Sequence, residues 1–99
     1  MAQEKQARYR HKPRSEEQLR LLNNRLSRLC GQLDGIGRML DDNRYCGDIL
    51  TQVAAAESAL QAFGYEILRE HMLGCVTEGI RSGNDEIMPE AFELMKKLK

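Results

Sequence analysis

Two cysteines and one histidine carry the strongest chemical signal in this 99-residue sequence. His71 and Cys75 are four residues apart, so on a helix both side chains project from one face. Cys46 precedes His71 by 25 residues, which on one continuous helix is a separation of about 37 Å at ~1.5 Å per residue. If the three residues bind one ion, Cys46 must come from another subunit, most simply across an antiparallel pair of these helices.

Two thiolates and one imidazole are soft metal ligands. Three such ligands with no obvious fourth suit Cu(I), which accepts low coordination numbers, whereas Zn(II) usually takes four ligands or three and a water. A His-x-x-x-Cys pair also arises when a hydrogen-bonded histidine packs beside a buried thiol, so both interpretations stay open on spacing alone. Outside this set, Cys30 is expected to be a packing or partly exposed thiol, and His11 a tail residue.

The apolar spacing predicts an all-α fold with three helices in the chain. Ser15 is the expected N-cap of a first helix over about 16–42, and Gln18 can complete a capping box with it. A second helix is expected from near Tyr45 to about Ser82, with Gly83 as its C-terminal cap. A short third helix follows. The apolar seam of the first helix repeats at intervals of three and four residues: Leu19, Leu22, Leu26, Leu29, Leu33, Ile36 and Leu40.

The composition favours long helices that need partners to bury their apolar faces, so we expect a helical oligomer. The two prolines lie near the ends of the chain and tryptophan is absent. No apolar run approaches the ~20 residues that cross a bilayer, so we expect a cytoplasmic protein with no membrane partner. Because the sequence has neither a Ser/His/Asp set nor a phosphate-cradling loop, an enzyme is not expected.

The charges are unevenly divided along a chain whose net charge is zero. Residues 1–38 hold nine bases and four acids, whereas residues 39–99 hold six bases and eleven acids. The basic half could face an anionic polymer such as double-stranded DNA, although an uneven solvated surface would give the same count. We divide the chain into a flexible basic arm, 1–14, and a single helical domain, 15–99.

Three motifs in order resemble the CsoR/RcnR family of metal-sensing transcriptional repressors. They are RLSRLCGQLDGI at 25–36, DNRYCGDIL at 42–50 with QVAA at 52–55, and HMLGCV at 71–76. The resemblance covers residues 16–99 nearly without gaps. It implies three helices per chain, a dimer with an antiparallel four-helix bundle core, and assembly to a homotetramer. It also implies a metal site that bridges subunits. Because the family's copper sensors carry Cys, His and Cys, as at Cys46, His71 and Cys75, it implies Cu(I).

The resemblance further implies a repressor that binds operator DNA as the apo form and releases it on copper binding, which derepresses copper-resistance genes. Tyr45 and Glu90 match the family's residues around the ligands, with Glu93 as a possible substitute for Glu90. Arg25 matches a DNA-contact arginine. Further DNA-contact candidates rest on charge alone: Arg28, Arg8, Arg10, Lys12 and Arg14. The family's basic residue near the middle of the second helix is missing from LQAF at 60–63.

Besides a structural Zn site, two functional alternatives remain at this level. The first is a repressor on the same scaffold that senses persulfide or other sulfur species through a link between Cys46 and Cys75, a role in which His71 has no obvious part. The second is a cytosolic copper-buffering protein that does not bind DNA.

Overall fold

Every regular element of the computed structural model is helical within the residues that it describes, 7–10 and 12–98. The elements are α1 (Glu16–Asp41), α2 (Cys46–Glu70), a π-helical segment (His71–Val76), α3 (Thr77–Arg81) and α4 (Ile87–Met95). Because α2, the π segment and α3 follow one another without a break, they form one rod. The predicted all-α fold with three helical bodies is confirmed, and His11 lies outside the described residues.

Side-chain and backbone caps fix both ends of α1 where the sequence predicts them. The Gln18 N–H donates to Ser15 Oγ at 3.1 Å, and the Ser15 N–H donates to Gln18 Oε1 at 3.0 Å, which completes the capping box. At the other end Asn43 adopts a φ of +53°, and the Arg44 N–H donates to the Met39 carbonyl at 3.0 Å. Asparagine is one of the few residues that tolerate this left-handed conformation at a helix end.

A glycine ends the rod in the same manner. Gly83 has a φ of +81°, and the Asn84 N–H donates to the Gly79 carbonyl at 2.9 Å. This is the predicted glycine cap. The chain then turns into α4, whose Ile87 lies so close to Gly79 that a Cβ there would come within 2.9 Å of Ile87 Cγ1.

The leucine seam of α1 divides into two heptad positions with different surroundings. Leu22 and Leu29 are buried against the rest of the chain, whereas the other set is exposed: Leu19, Leu26, Leu33 and Leu40. Each set repeats every seven residues, the interval of a packing seam between helices. One position of the repeat is therefore covered within the chain and the other is not.

The chain is extended and exposes much of its surface. Its radius of gyration is 17.4 Å, against about 13 Å for a compact domain of this length. It exposes 8284 Å², against about 5,700 Å² for a compact monomer of its mass. None of the helices in the described residues combines the length and the apolar character needed to cross a membrane.

Candidate metal centre

The helical rod widens to a π turn where two of the three candidate ligands lie. His71 is the first residue of this segment and Cys75 the fifth. Thr77 Oγ1 donates to the Met72 carbonyl at 3.0 Å and so spans five residues, the spacing of π-helical hydrogen bonds. The sequence analysis predicted a helix here but missed its widening, for which Gly74 and Thr77 were only weak signals. Single π turns inside α-helices occur frequently at functional sites.

His71 and Cys75 line one cleft of about 90 Å³, together with Ile67 and Glu70 of α2 and two arginines of the N-terminal arm, Arg10 and Arg14. His71 Nε2 is buried and has no hydrogen-bond partner among the described residues. Buried polar atoms without a partner are rare in folded proteins. Cys75 is a half-buried free thiol. An unpartnered imidazole nitrogen and a free thiol on one cleft fit a soft metal ion.

Cys46 lies at the other end of the rod, as the first residue of α2 and an exposed free thiol. The 25 residues to His71 put the two about 37 Å apart along the helix. Within residues 7–10 and 12–98 of one chain, no group of three His, Cys, Asp or Glu side chains is placed to hold a metal. A site made of Cys46, His71 and Cys75 therefore requires two chains.

Tyr45 lies beside Cys46 and far from the His71 cleft. It is the N-cap residue of α2 and is largely exposed. Its ring folds over Gly47, where a Cβ would come within 2.6 Å of Tyr45 Cε2. Any contact between Tyr45 and a histidine ligand would therefore also cross a subunit boundary.

Glu90 and Glu93 border a second cleft, which is separate from that of His71 and Cys75. Glu90 Oε2 forms an ion pair with Arg8 Nη1 at 3.3 Å, and Glu93 Oε2 forms one with Lys96 Nζ at 3.2 Å. Both pairs are substantially exposed. In a single chain, neither carboxylate lines the cleft of the candidate ligands.

The described part of the basic arm lies against the end of α2. Arg14 Nε donates to Glu70 Oε1 at 2.6 Å, and Arg10 Nη1 lies 3.5 Å from the same oxygen. The side chains are 28% exposed for Arg14, 27% for Arg10 and 12% for Glu70. The sequence analysis did not single out Glu70, because the arm is not helical and spacing gives no signal for such a contact.

Three candidate DNA contacts are exposed and form no ion pair within the described part of the chain. Arg25 and Arg28 are exposed on α1, three residues apart and therefore on neighbouring positions of one helix surface. Lys12 is exposed in the arm. Among the described residues none of the three forms an ion pair, whereas Arg20, also on α1, pairs with Glu17 at 2.7 Å.

Residues 18–97 match the protein family described as metal-sensitive transcriptional repressor. The copper-sensing transcriptional repressor CsoR of Bacillus subtilis (strain 168) is 38% identical over 77 residues, which is 77% of this chain and 76% of that protein. The copper-sensing transcriptional repressor RicR of Mycobacterium tuberculosis (strain H37Rv) is 44% identical over 59 residues, 60% of this chain and 62% of that protein.

Two solved structures share the fold. The copper-sensing repressor CsoR with Cu(I) from Geobacillus thermodenitrificans NG80-2 superposes with a TM-score of 0.81 at 38% identity, covering 87% of this chain and 91% of that one. The nickel-responsive transcriptional regulator InrS superposes with a TM-score of 0.71 at 32% identity, covering 92% of this chain and all of the other. Copper and nickel regulators thus share this helical architecture.

Proposed function

The chain belongs to the metal-sensitive transcriptional repressor family, and we propose that it is a Cu(I)-responsive repressor that binds operator DNA without metal and releases it when Cu(I) binds. Such a protein acts in the cytoplasm, where the DNA is. The relatives named above are copper-sensing repressors, and one solved relative holds Cu(I). Since a nickel-responsive regulator has the same fold, the ligand set decides the metal.

The observation that carries the proposal is the donor set of Cys46, His71 and Cys75. Two of these residues lie on one cleft, where the buried His71 Nε2 has no partner. Two thiolates and one imidazole favour Cu(I) over ions that prefer oxygen ligands or four-fold coordination. Bound Cu(I) would supply a link between the thiolates and the imidazole across a subunit boundary.

Cys46 reaches this cleft only from a partner subunit. An antiparallel pairing of two rods places Cys46 of one chain beside His71 and Cys75 of the other, and a two-fold axis generates two equivalent sites. Because Tyr45 precedes Cys46, the same pairing brings its phenol toward the imidazole. Hydrogen-bond partners of this kind fix the orientation of a histidine ligand.

The uncovered apolar surface supports assembly into a homodimer or homotetramer. The exposed heptad set of α1 and exposed apolar side chains of the rod, among them Leu50 and Leu60, leave much of the helical surface without cover. The excess of about 2,600 Å² over a compact monomer matches the upper part of the about 1,000–2,500 Å² that each partner contributes to an obligate interface. The pairing of chains that would cover this apolar surface is therefore also the pairing that would complete the metal site.

DNA binding in this proposal uses the basic residues of α1 and the arm. Arg25, Arg28 and Lys12 are exposed cations that can contact phosphates directly. Metal and DNA then weaken each other's binding by the same factor, as linkage requires. The metal can act only through contacts that differ between the DNA-binding and the released arrangement.

An anaerobic titration of the protein–DNA complex with Cu(I) tests the proposal. The probe is a duplex containing the promoter upstream of the protein's own gene, and the readout is fluorescence anisotropy. We expect the apo protein to bind the duplex and Cu(I) to release it at about one ion per chain. The Cys46→Ser variant should bind DNA as the wild type does but fail to respond. Absence of DNA binding at low salt would support a copper buffer instead.

A further inference from the structure

Thr77 closes the π turn that carries His71 and Cys75, and it does so with two hydrogen bonds of different reach. Its hydroxyl donates to the Met72 carbonyl, five residues back, at 3.0 Å. Its backbone N–H donates to the Gly74 carbonyl, only three residues back. In a regular α-helix this N–H would donate to the carbonyl four residues back. The side chain of Thr77 therefore spans the widened turn that its own backbone N–H does not span.

The widened turn changes where Cys75 lies relative to His71. Four residues of an α-helix advance the chain by about 400°, which would put Cys75 about 40° past His71 around the axis. A turn closed by hydrogen bonds over five residues contains more than four residues, so four of them fall short of a full circle. Cys75 then lies on the other side of His71. Binding sites tolerate errors of only about 10–20° in the placement of their groups, so the two geometries are not interchangeable in a metal site.

The C-terminal segment, residues 87–98, holds the same turn from outside. It packs against the rod before the turn, where a Cβ at Gly64 would come within 2.7 Å of Leu98 Cδ2. It also packs after the turn, where a Cβ at Gly79 would come within 2.9 Å of Ile87 Cγ1. Narrowing the π turn to an α turn would rotate α3 against α2 by about 100°, which would turn Gly79 away from Ile87. This packing keeps the turn wide, so loss of the Thr77 hydroxyl should loosen the turn without unfolding the chain.

We propose that Thr77 is a positioning residue of the metal centre, whose hydroxyl fixes the π turn and thereby the place of Cys75 relative to His71. In this role Thr77 is not a ligand and acts only through the backbone of the turn. The part of the inference that concerns metal affinity rests on the proposed copper function. The part that concerns the turn and the Cys75 side chain belongs to the apo protein and is tested without metal.

Thr77→Val in the full-length protein tests this role, because valine has nearly the shape of threonine but no hydroxyl. Thr51→Val is the matched control. Thr51 Oγ1 also donates to a backbone carbonyl, that of Gly47 at 2.9 Å, but it does so four residues back in a regular turn of α2. Thr77→Ser keeps the hydroxyl and removes only the methyl group. Circular dichroism checks that all three variants keep their helices.

The first readout is amide hydrogen exchange of residues 71–77 in the apo protein. Loss of one hydrogen bond should raise the local opening equilibrium, and with it the exchange rate, by about 2–10-fold. We expect this acceleration in Thr77→Val, and exchange near the wild-type rate in Thr77→Ser and Thr51→Val. Equal exchange in Thr77→Val and the wild type would show that the hydroxyl does not hold the turn.

The second readout is the alkylation rate of the Cys75 thiol in the apo protein, located by peptide mass spectrometry. The exposed thiol of Cys30 in the same sample is the reference. A loosened turn exposes the half-buried Cys75 more often, so we expect alkylation about 2–10-fold faster in Thr77→Val. Thr77→Ser and Thr51→Val should match the wild type. An unchanged Cys75 rate in Thr77→Val would overturn the positioning of this residue.

The third readout is Cu(I) affinity, measured by competition with a chelator under anaerobic conditions. We expect Thr77→Val to bind Cu(I) about 2–10-fold more weakly, because the ion must then order a turn that the wild type holds in place. Thr77→Ser should restore the affinity. Wild-type affinity in Thr77→Val would overturn the role at the metal centre. If the wild type itself does not bind Cu(I) tightly, the proposed copper function fails, whereas exchange and alkylation still decide whether Thr77 positions Cys75.

Discussion

At the scale of single residues, the candidate ligands could be chosen from sequence but their surroundings could not. Residue type and spacing make Cys46, His71 and Cys75 candidates, because soft-metal chemistry needs thiolates and imidazole, and the family resemblance then favours them over a packing role. The contact between the arm and Glu70 joins residues 56 apart in sequence, and no periodic pattern encodes such a pair. The burial of His71 Nε2 without a hydrogen-bond partner among the described residues likewise follows only from the packing of the chain.

The His71 imidazole distinguishes a copper sensor, which needs it as a ligand, from a sensor of sulfur species, which does not. His71→Ala removes one of the three proposed copper ligands. Changing a residue that only supports a ligand typically lowers metal affinity by about 10–100-fold, so we expect loss of the histidine to lower Cu(I) affinity by more than that. Binding of the apo protein to the promoter duplex should persist. Competition with a Cu(I) chelator measures the first effect and anisotropy the second.

A response to sulfur species through Cys46 and Cys75 would survive in His71→Ala, because it needs only the two thiols. If this variant kept its wild-type Cu(I) affinity, the histidine would not be a ligand. If the wild type answered an inorganic polysulfide but not Cu(I), the scaffold would serve sulfur sensing instead.

At the scale of elements, the helices and their ends follow closely from sequence. The capping box at Ser15 and the glycine cap at Gly83 lie where they are predicted, because both depend on local backbone geometry. The π turn at His71–Val76 was missed since a repeat of three and four residues does not distinguish one widened turn from a regular helix. The spacing of His71 and Cys75 predicted that they share one helix face, and both do line one cleft.

The close approach of α3 and α4 at Gly79 predicts a position-specific cost for a methyl group. A Cβ there would lie 2.9–3.1 Å from three atoms of Ile87. These are its Cβ and the two carbons attached to it, which lie close to the backbone of α4 and cannot easily move away. We expect Gly79→Ala to reduce the free energy of unfolding by about 1–3 kcal/mol, measured by urea denaturation at fixed protein concentration.

Gly31→Ala is the control, because it replaces glycine by alanine within a helix without a packing contact. Gly31 is exposed on α1, and a Cβ there meets no atom of the chain within 4 Å. We expect this change to leave stability unchanged or to raise it by about 0.5–1 kcal/mol, since alanine favours the helix. Equal effects of the two substitutions would show that α4 does not pack on Gly79 in solution.

At the scale of the whole molecule, one chain holds only part of each proposed site. The exposed heptad set of α1 and the large exposed surface are what the proposed assembly would cover. The sequence predicts this need for a partner through its apolar periodicity and small core. It does not determine whether the assembly is a dimer or a tetramer, because that depends on surface shape rather than on periodicity.

A mixing experiment tests the shared site most directly. Cys46→Ser and the double variant His71→Ala with Cys75→Ser should each fail to bind Cu(I) tightly. A mixed dimer of the two contains one intact site, formed by Cys46 of one chain with His71 and Cys75 of the other. After random subunit exchange we expect about a quarter of the wild-type Cu(I) capacity, measured by anaerobic titration against a chelator. If the mixture binds no more tightly held Cu(I) than its separate components, the ligands do not come from two chains, and the account is contradicted.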